Sequence, residues 1–234
     1  GNHCSEFIHS PYARTGVLEN NPIHRDMVAA ANMAKLRYVV NVVLDSEKNI
    51  VAAFAGDAEK AHEAGTAYLK ESCVVKVKPA DIVVTSNGGA PLDQNIYQCV
   101  KGMTAGEAAA SPGGVIILAA ECSDGIGGEQ FYKDLNGCRC PAQLYDEFMS
   151  RGPQETEQDQ WQSQILCRIL KDHTVIMVTR PELENIVKDM KMEYAPSIDD
   201  ALIRARSIKG ETASVCIIPD GVSVMVVRDD GAAK

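Results

Sequence analysis

Two continuous apolar runs place the strongest constraint on the fold. They read VIILAA at Val115–Ala120 and VIMVT at Val175–Thr179. A strand that is apolar at every position is buried on both faces, as in a parallel sheet covered by helices. Shorter strand-like runs, VVKVK, DIVVTS and SVCII, alternate with stretches of helical periodicity. The sequence therefore predicts an α/β fold, a three-layer, mostly parallel sheet with helices on both faces.

The first 35 residues differ from the rest of the chain. They show little periodicity and contain three of the five histidines. We predict an extended segment over residues 1–35 that trails from a missing upstream part, because the chain lacks an initiator methionine. An α/β domain is predicted over residues 36–234. It opens with two β-branched runs on either side of SEKN, the pattern of a β-hairpin.

Charge and composition exclude several classes of partner. The formal net charge is −9 and the 23 basic residues are scattered, so we expect no nucleic acid partner. No apolar run approaches the roughly 20 residues of a membrane span, and no secretory leader is present. We therefore expect a cytoplasmic protein whose eight cysteines are reduced thiols. Cys138 and Cys140 are spaced too closely for a usual zinc-binding pair.

Glycine-rich loops follow two of the predicted strands. SNGGAP (Ser86–Pro91) follows DIVVT, and DGIGG (Asp124–Gly128) comes shortly after VIILAA. In open parallel sheets, ligands bind at the carboxyl ends of the strands. Neither loop has the G-x-G-x-x-G spacing of a dinucleotide site. The sequence thus predicts a ligand at this edge of the sheet without a nucleotide fingerprint.

Four residues are candidates for contact with that ligand, and each also has an ordinary interpretation. Gln98 and Lys101 share one helix face after the SNGGAP loop; such a pair is usually solvated, yet an ammonium here suits a small anion. The usual role of a tryptophan such as Trp161 is core packing. The glutamines around it, however, predict that one edge of the indole is solvated, and such an indole could form the wall of a pocket. His3 could ligate a metal, but no carboxylate or thiol completes a recognised spacing with it.

Three stretches carry a resemblance to a known family. They are VLENNPIHRDMVAAANMAKLRYVV, DIVVTSNGGAPLDQNIYQCVKGM and QWQSQILCRIL. They resemble the C-terminal part of the nickel-pincer lactate racemase family, and the similarity covers nearly the whole chain from Asn2. The resemblance implies a racemase or epimerase that inverts the carbinol carbon of a small 2-hydroxy acid. Hydride would move to and from a nickel-pincer pyridinium mononucleotide, which carries the redox chemistry.

The resemblance also implies roles for particular residues. His3 matches the nickel ligand, and nickel accepts a nitrogen donor in a square-planar set. Gln98 and Lys101 match substrate-binding residues, with Lys101 holding the carboxylate, and Trp161 matches a pocket residue near the cofactor. The acid–base histidines of the family lie upstream, in a cofactor-binding N-terminal domain. The resemblance therefore implies no catalytic residue in this chain, an inactive isolated chain without its cofactor, and that missing domain as partner.

Two interpretations from other classes remain open. A non-catalytic α/β module would bind a small anion or nucleotide, and the ligand would stabilise it thermally without nickel. A lid domain would close on a partner domain and expose an apolar patch near residues 1–35. The enzyme interpretation instead predicts that His3, Lys101 and Trp161 converge on one cleft.

Overall fold

The computed structural model describes residues 2–45 and 47–229. The helices are α1 (Ser5–His9), α2 (Pro22–Met33), α3 (Ala58–Cys73), α4 (Ile96–Ala109), α5 (Glu129–Gly137), α6 (Pro141–Ser150), α7 (Gln160–Asp172), α8 (Glu184–Asp189) and α9 (Ile198–Lys209), with 3-10 turns at Pro153–Glu155 and Pro181–Leu183. The strands are β1 (Val39–Leu44), β2 (Ile50–Gly56), β3 (Val74–Val77), β4 (Ala80–Ser86), β5 (Ala110–Ala119), β6 (Thr174–Val178), β7 (Glu193–Ala195), β8 (Val215–Ile218) and β9 (Met225–Arg228).

Five parallel strands form the central sheet, in the order β7-β6-β5-β4-β8. The predicted apolar runs form β5 and β6 at its centre, and they are buried on both faces. Helices α4 and α7 pack on one face, whereas α9 packs on the other through Ala201 and Ala205. These contacts confirm the predicted three-layer α/β fold.

Small residues allow α4 to lie very close to the sheet. A Cβ atom on Gly106 would stand 2.6 Å from Cγ2 of Ile116 in β5, and one on Gly102 would stand 2.9 Å from Cδ1 of Leu118. Both distances are shorter than real carbon–carbon contacts, so any larger residue would push the helix away. The position of α4 relative to the strand ends is therefore set by these two glycines.

The predicted hairpin is confirmed, and it stands apart from the central sheet. Strands β1 and β2 pair antiparallel, and α3 covers one face, where Phe54 fits against Gly65. The other face of β1 and β2 is apolar and uncovered by the described part of the chain. Its exposed residues include Val40, Val42, Leu44 and Val51. A face of this kind is typical of a docking surface.

The prediction of an extended segment over residues 1–35 is wrong in its secondary structure, because two helices lie there. Helix α2 begins where Asn21 accepts hydrogen bonds from the amides of Ile23 (3.0 Å) and His24 (3.4 Å), with Pro22 in the first turn. An asparagine cap followed by proline is a strong helix start. The domain boundary between residues 35 and 36 stays a prediction.

Strands β3 and β9 form a separate parallel ribbon, with Val74 opposite Met225 and Val77 opposite Arg228. The sequence predicted β3 but not β9, which is short and pairs with a strand about 150 residues earlier. Within the described ranges, no helix combines the length and the apolar character needed to cross a membrane.

Candidate functional site

The loops that follow three neighbouring strands are tied together at the carboxyl edge of the sheet. After β4 and β8, the Ser86 hydroxyl donates to the Pro219 carbonyl at 2.6 Å, and the Gly221 amide donates to the Ser86 carbonyl at 3.0 Å. After β5, the Glu121 amide donates to a carboxylate oxygen of Asp93 at 3.2 Å. The predicted ligand edge is thus a rigid rim, as precise positioning of a small molecule requires.

Asn87 joins this rim to α4, and sequence reasoning missed it. Its side chain is fully buried; Nδ2 donates to the Gln98 carbonyl at 3.1 Å and to the Leu92 carbonyl. Its Oδ1 accepts from the Gly102 amide at 2.9 Å. The available signal was a polar residue placed directly after a buried strand and before two glycines. Asn87 fixes the turn of α4 on which Gln98 and Lys101 lie.

Gln98 holds a buried polar atom that has no partner in the described structure. The side chain of Asn95 caps α4 by accepting from the Gln98 amide at 3.0 Å. The side-chain Oε1 of Gln98 is buried and accepts no hydrogen bond among the described residues. An unsatisfied buried acceptor is costly, so this oxygen suits a ligand with a hydroxyl donor. The ordinary interpretation of Gln98 as a solvated residue does not fit this burial.

Lys101 and Trp161 line the same cleft, whose volume is about 580 Å³. The cleft runs along α4 and α7. Its charged lining consists of Arg14, Lys101, Arg168, Arg228 and Glu107. Four cationic groups against one carboxylate concentrate positive charge in a chain of net charge −9. Such a cleft attracts small anions.

Trp161 is half-buried between two other rings. Both rings contact the indole edge to face: the Tyr97 centroid lies 5.8 Å from that of Trp161, and the His3 centroid lies 5.3 Å from it. The Tyr97 hydroxyl donates to Asp159 at 3.3 Å. Burial, and then the nearby Asp159 carboxylate, raises the pKa of Tyr97 to about 12, so Tyr97 stays protonated. The indole is therefore held in a fixed orientation at the cleft.

His3 has the features of a single metal ligand. Its Nδ1 lies 2.7 Å from Oδ1 of Asn2, so the other ring nitrogen, Nε2, keeps a free lone pair when Nδ1 carries the proton. Burial of part of the ring lowers the pKa of His3, which favours the neutral, ligating form. Across residues 2–45 and 47–229, no three His, Cys, Asp or Glu side chains are grouped to hold a metal. His3 could thus serve only a metal whose other ligands come from elsewhere.

The structure brings most of the predicted residues together. Lys101 and Trp161 share the cleft, His3 contacts Trp161, and Gln98 lies one turn before Lys101 on α4 without lining the cleft. Their roles in binding stay predictions. The indole of Trp161 is half-buried and lines the cleft. Three of the glutamines from which a wet edge was expected, Gln160, Gln162 and Gln164, are themselves buried.

Comparisons with known proteins agree on one family. A sequence profile described as "Lactate racemase C-terminal domain" matches residues 75–226. The chain is 58% identical to a lactate racemase of Thermoanaerobacterium thermosaccharolyticum and 47% identical to one of Lactiplantibacillus plantarum, each over 225 residues. Each alignment covers 96% of this chain and 53% of the relative. The chain therefore spans about half the length of the curated relatives it matches.

A solved structure gives the same result. The lactate racemase apoprotein from Thermoanaerobacterium thermosaccharolyticum superposes with a TM-score of 0.95 at 58% identity. The superposition covers 96% of this chain and 54% of that one. That protein therefore shares the fold described above, including the hairpin before residue 75, over the 96% of this chain that superposes.

Proposed function

We propose a function from the premise that this chain belongs to the lactate racemase C-terminal domain family. It forms the substrate-binding half of an isomerase that inverts the carbinol carbon of a small 2-hydroxy acid. The observation that carries the proposal is that Lys101 and Trp161 line one positively charged cleft and that His3 contacts the Trp161 ring. Curated relatives that bear the name lactate racemase support the choice of reaction.

Lys101, Gln98 and Trp161 each have a task in this proposal. The Lys101 ammonium binds the substrate carboxylate, for which a compact positive charge is suited. Oε1 of Gln98 is unpaired and lies outside the lining of the cleft, so it would accept a hydrogen bond from the substrate hydroxyl after the side chain turns toward the cleft. Trp161 forms an apolar wall and keeps water away from the reacting carbon. Together they orient the 2-hydroxy acid at the cleft.

His3 is the one residue of this chain that we assign to the cofactor. Its free Nε2 fits a nickel ion that takes its remaining ligands from a sulfur–carbon–sulfur pincer, since nickel accepts imidazole nitrogen. When bound, a nickel-pincer pyridinium mononucleotide would supply the hydride chemistry. His3 would hold that group, and the His3 ring contacts Trp161, which lines the cleft.

The remaining half of the protein is the partner in this proposal. General acid–base groups are needed to move the hydroxyl proton, and we assign them to that half, so the isolated chain would be inactive. Relatives about twice as long support this division. The apolar face of β1 and β2, with Val40, Val42 and Leu44 exposed, supplies a surface on which that half can dock.

We place the protein in the cytoplasm. The thiols of Cys99 and Cys122 lie 3.6 Å apart in the core, which is close enough for a bond after a small movement, yet they are unlinked. Such a pair stays reduced in a cytosolic thiol pool.

Co-expression tests the proposal. This chain would be produced with the N-terminal half and the cofactor-making enzymes, and inversion of a panel of 2-hydroxy acids would be measured. We expect the Lys101→Ala variant to lower kcat/KM about 100-fold, because it removes a charged hydrogen bond to the carboxylate. Lys133→Ala is the matched control, since Lys133 is exposed and forms its ion pair with Glu129. A complex that folds and holds nickel but inverts no substrate would contradict the proposal.

The positive charge of the cleft also favours a second candidate function, a module that binds a small anion or nucleotide without catalysis. That function predicts thermal stabilisation of the chain alone by lactate or inorganic phosphate. Loss of this stabilisation in Lys101→Ala, together with no inversion by the nickel-loaded complex, would favour the binding module over the racemase.

A further inference from the structure

Two buried glutamines of α7 hold the segment that carries His3. The side chains of Gln160 and Gln164 are both 0% exposed. Buried side-chain amides are retained where they have partners, and both of these amides reach across to α1. Their shared partner is Ser5, which is itself 2% exposed.

The orientation of Gln160 follows from its neighbours. Its Oε1 accepts from Nη1 of Arg151 at 2.9 Å and from the Glu157 amide at 3.2 Å. Because the oxygen is used on that side, the amino group must face Ser5, and Nε2 donates to the Ser5 hydroxyl at 2.7 Å. Arg151 is held in turn by the Glu157 carboxylate at 3.0 Å. The amide cannot rotate without losing three hydrogen bonds.

Gln164 fixes the backbone of the same residue. Its Nε2 donates to the Ser5 carbonyl at 3.1 Å. One helical turn separates Gln160 from Gln164, so the two side-chain amides lie on one face of α7 and both donate hydrogen bonds to Ser5. Ser5 is thus anchored through its side chain and its main chain, and Cys4, which is 3% exposed, is packed beneath it.

The anchor, formed by Ser5, Gln160 and Gln164, lies close along the chain both to His3 and to the Trp161 ring that His3 contacts. Only Cys4 separates Ser5 from His3 along the chain, and Trp161, the ring that His3 contacts, directly follows Gln160. A rigid Ser5 therefore limits where the His3 imidazole can lie. Helix α7 carries both the two glutamines that bind Ser5 and the Trp161 ring that His3 contacts. Residues that orient a metal ligand in this way commonly determine how tightly the metal is held.

We propose that Gln160 and Gln164 are positioning residues that hold His3 against Trp161 before the metal arrives. The proposal rests on the proposed function, because it takes His3 as a nickel ligand. Neither glutamine contacts substrate or metal; both act through Ser5. Ser5→Ala removes the hydroxyl that Gln160 binds and keeps the carbonyl that Gln164 binds, while α7 and Trp161 stay unchanged in sequence, so it tests the Gln160 contact without altering the ring.

The first measurements use the full 234-residue chain without nickel. Hydrogen exchange of the Ile8 amide, which bonds to the Cys4 carbonyl at 3.1 Å, reports on α1. Acrylamide quenching reports on Trp161, the only tryptophan. We expect Ser5→Ala to exchange about tenfold faster at Ile8, as loss of one buried hydrogen bond implies. Acrylamide quenching of Trp161 in Ser5→Ala should rise to the level measured in a His3→Ala variant, which lacks the imidazole that contacts Trp161.

A matched serine serves as the control. Ser10 lies in the same segment, and its hydroxyl accepts from the Tyr12 amide at 3.3 Å, with no hydrogen bond to α7 among the described residues. Ser10→Ala should leave both readouts at the wild-type values. Urea unfolding of each variant checks that the chain is folded. If folded Ser5→Ala matches wild type in both exchange and quenching, the hydrogen bond from Gln160 to the Ser5 hydroxyl does not hold His3, and the joint positioning role of the two glutamines is overturned.

A second measurement separates positioning from general support. In the cofactor-loaded complex, we expect Ser5→Ala to lose nickel to a chelator about tenfold faster than wild type, with a changed absorption band and an unaltered KM for the 2-hydroxy acid. Nickel loss at the wild-type rate would overturn the positioning role. Failure of the racemase proposal would look different, because wild type would then invert nothing, while exchange and quenching would still report on the anchor.

Discussion

Replacing Asn87 by alanine should weaken the junction between the strand ends and α4. Asn87 is fully buried and makes three hydrogen bonds: Nδ2 donates to the carbonyls of Gln98 and Leu92, and Oδ1 accepts from the Gly102 amide. Alanine provides none of these contacts. The three main-chain groups are left in a site from which water is excluded, so each loses its partner without a substitute.

A net value of about 1 kcal/mol for each hydrogen bond gives a loss of about 3 kcal/mol in the free energy of unfolding. With a urea slope of roughly 3 kcal/mol per molar, the unfolding midpoint should fall by about 1 M. The fluorescence of Trp161 follows the transition. Gln94→Ala is the matched control, since its exposed side chain in the same loop should change stability by less than about 0.5 kcal/mol. A loss below about 1 kcal/mol for Asn87→Ala would refute the reasoning.

Three further predictions concern the packing and charge of the domain. Gly106→Ala should lower the free energy of unfolding by about 1–2 kcal/mol, although alanine favours helices, because the new Cβ would lie 2.6 Å from Ile116; unchanged urea unfolding would contradict this. Glu107→Gln should lower stability by about 2 kcal/mol, seen as a lower melting temperature, because it deprives Arg168 of a 2.6 Å partly buried ion pair. Burial lowers the pKa of His173 below 6.5, so the unfolded chain binds more protons and stability falls as pH drops through 6.5. His173→Gln should therefore show a smaller fall in urea midpoint from about pH 7.5 to about pH 5.5, and an equal fall would exclude this cause.

The central sheet could be predicted because its signal is local. The runs at Val115–Ala120 and Val175–Val178 are apolar at every position, and few folds other than a covered parallel sheet bury such strands. Helix α2 had a local signal too, in the pair Asn21–Pro22, but the lack of apolar periodicity after it favoured an extended segment. Its buried face is minimal, which explains why periodicity failed there.

The anchors of the candidate site could not be predicted in the same way. Asn87, Gln160 and Gln164 are polar, and polar residues are mostly exposed. Gln160 and Gln164 are buried against a distant partner, since Ser5 is 155 residues from Gln160, whereas Asn87 is buried against nearby groups on the loop and α4, among them the Gln98 carbonyl. Single-sequence patterns report spacing along the chain and carry no information on such distant partners. The roles of Gln98 and Lys101 likewise rest on family resemblance, since three-residue spacing is equally typical of a solvated helix face.

The β3–β9 ribbon has a mechanical consequence. The two strands are parallel, so the chain enters the ribbon at Val74 and leaves it at Arg228, at the opposite end. Tension applied along the chain between these points pulls the strands past each other and loads all the evenly spaced hydrogen bonds of the ribbon together. We therefore expect the domain to resist stretching in single-molecule pulling at residues 74 and 228. It should yield in one step at the ribbon rather than unzip bond by bond.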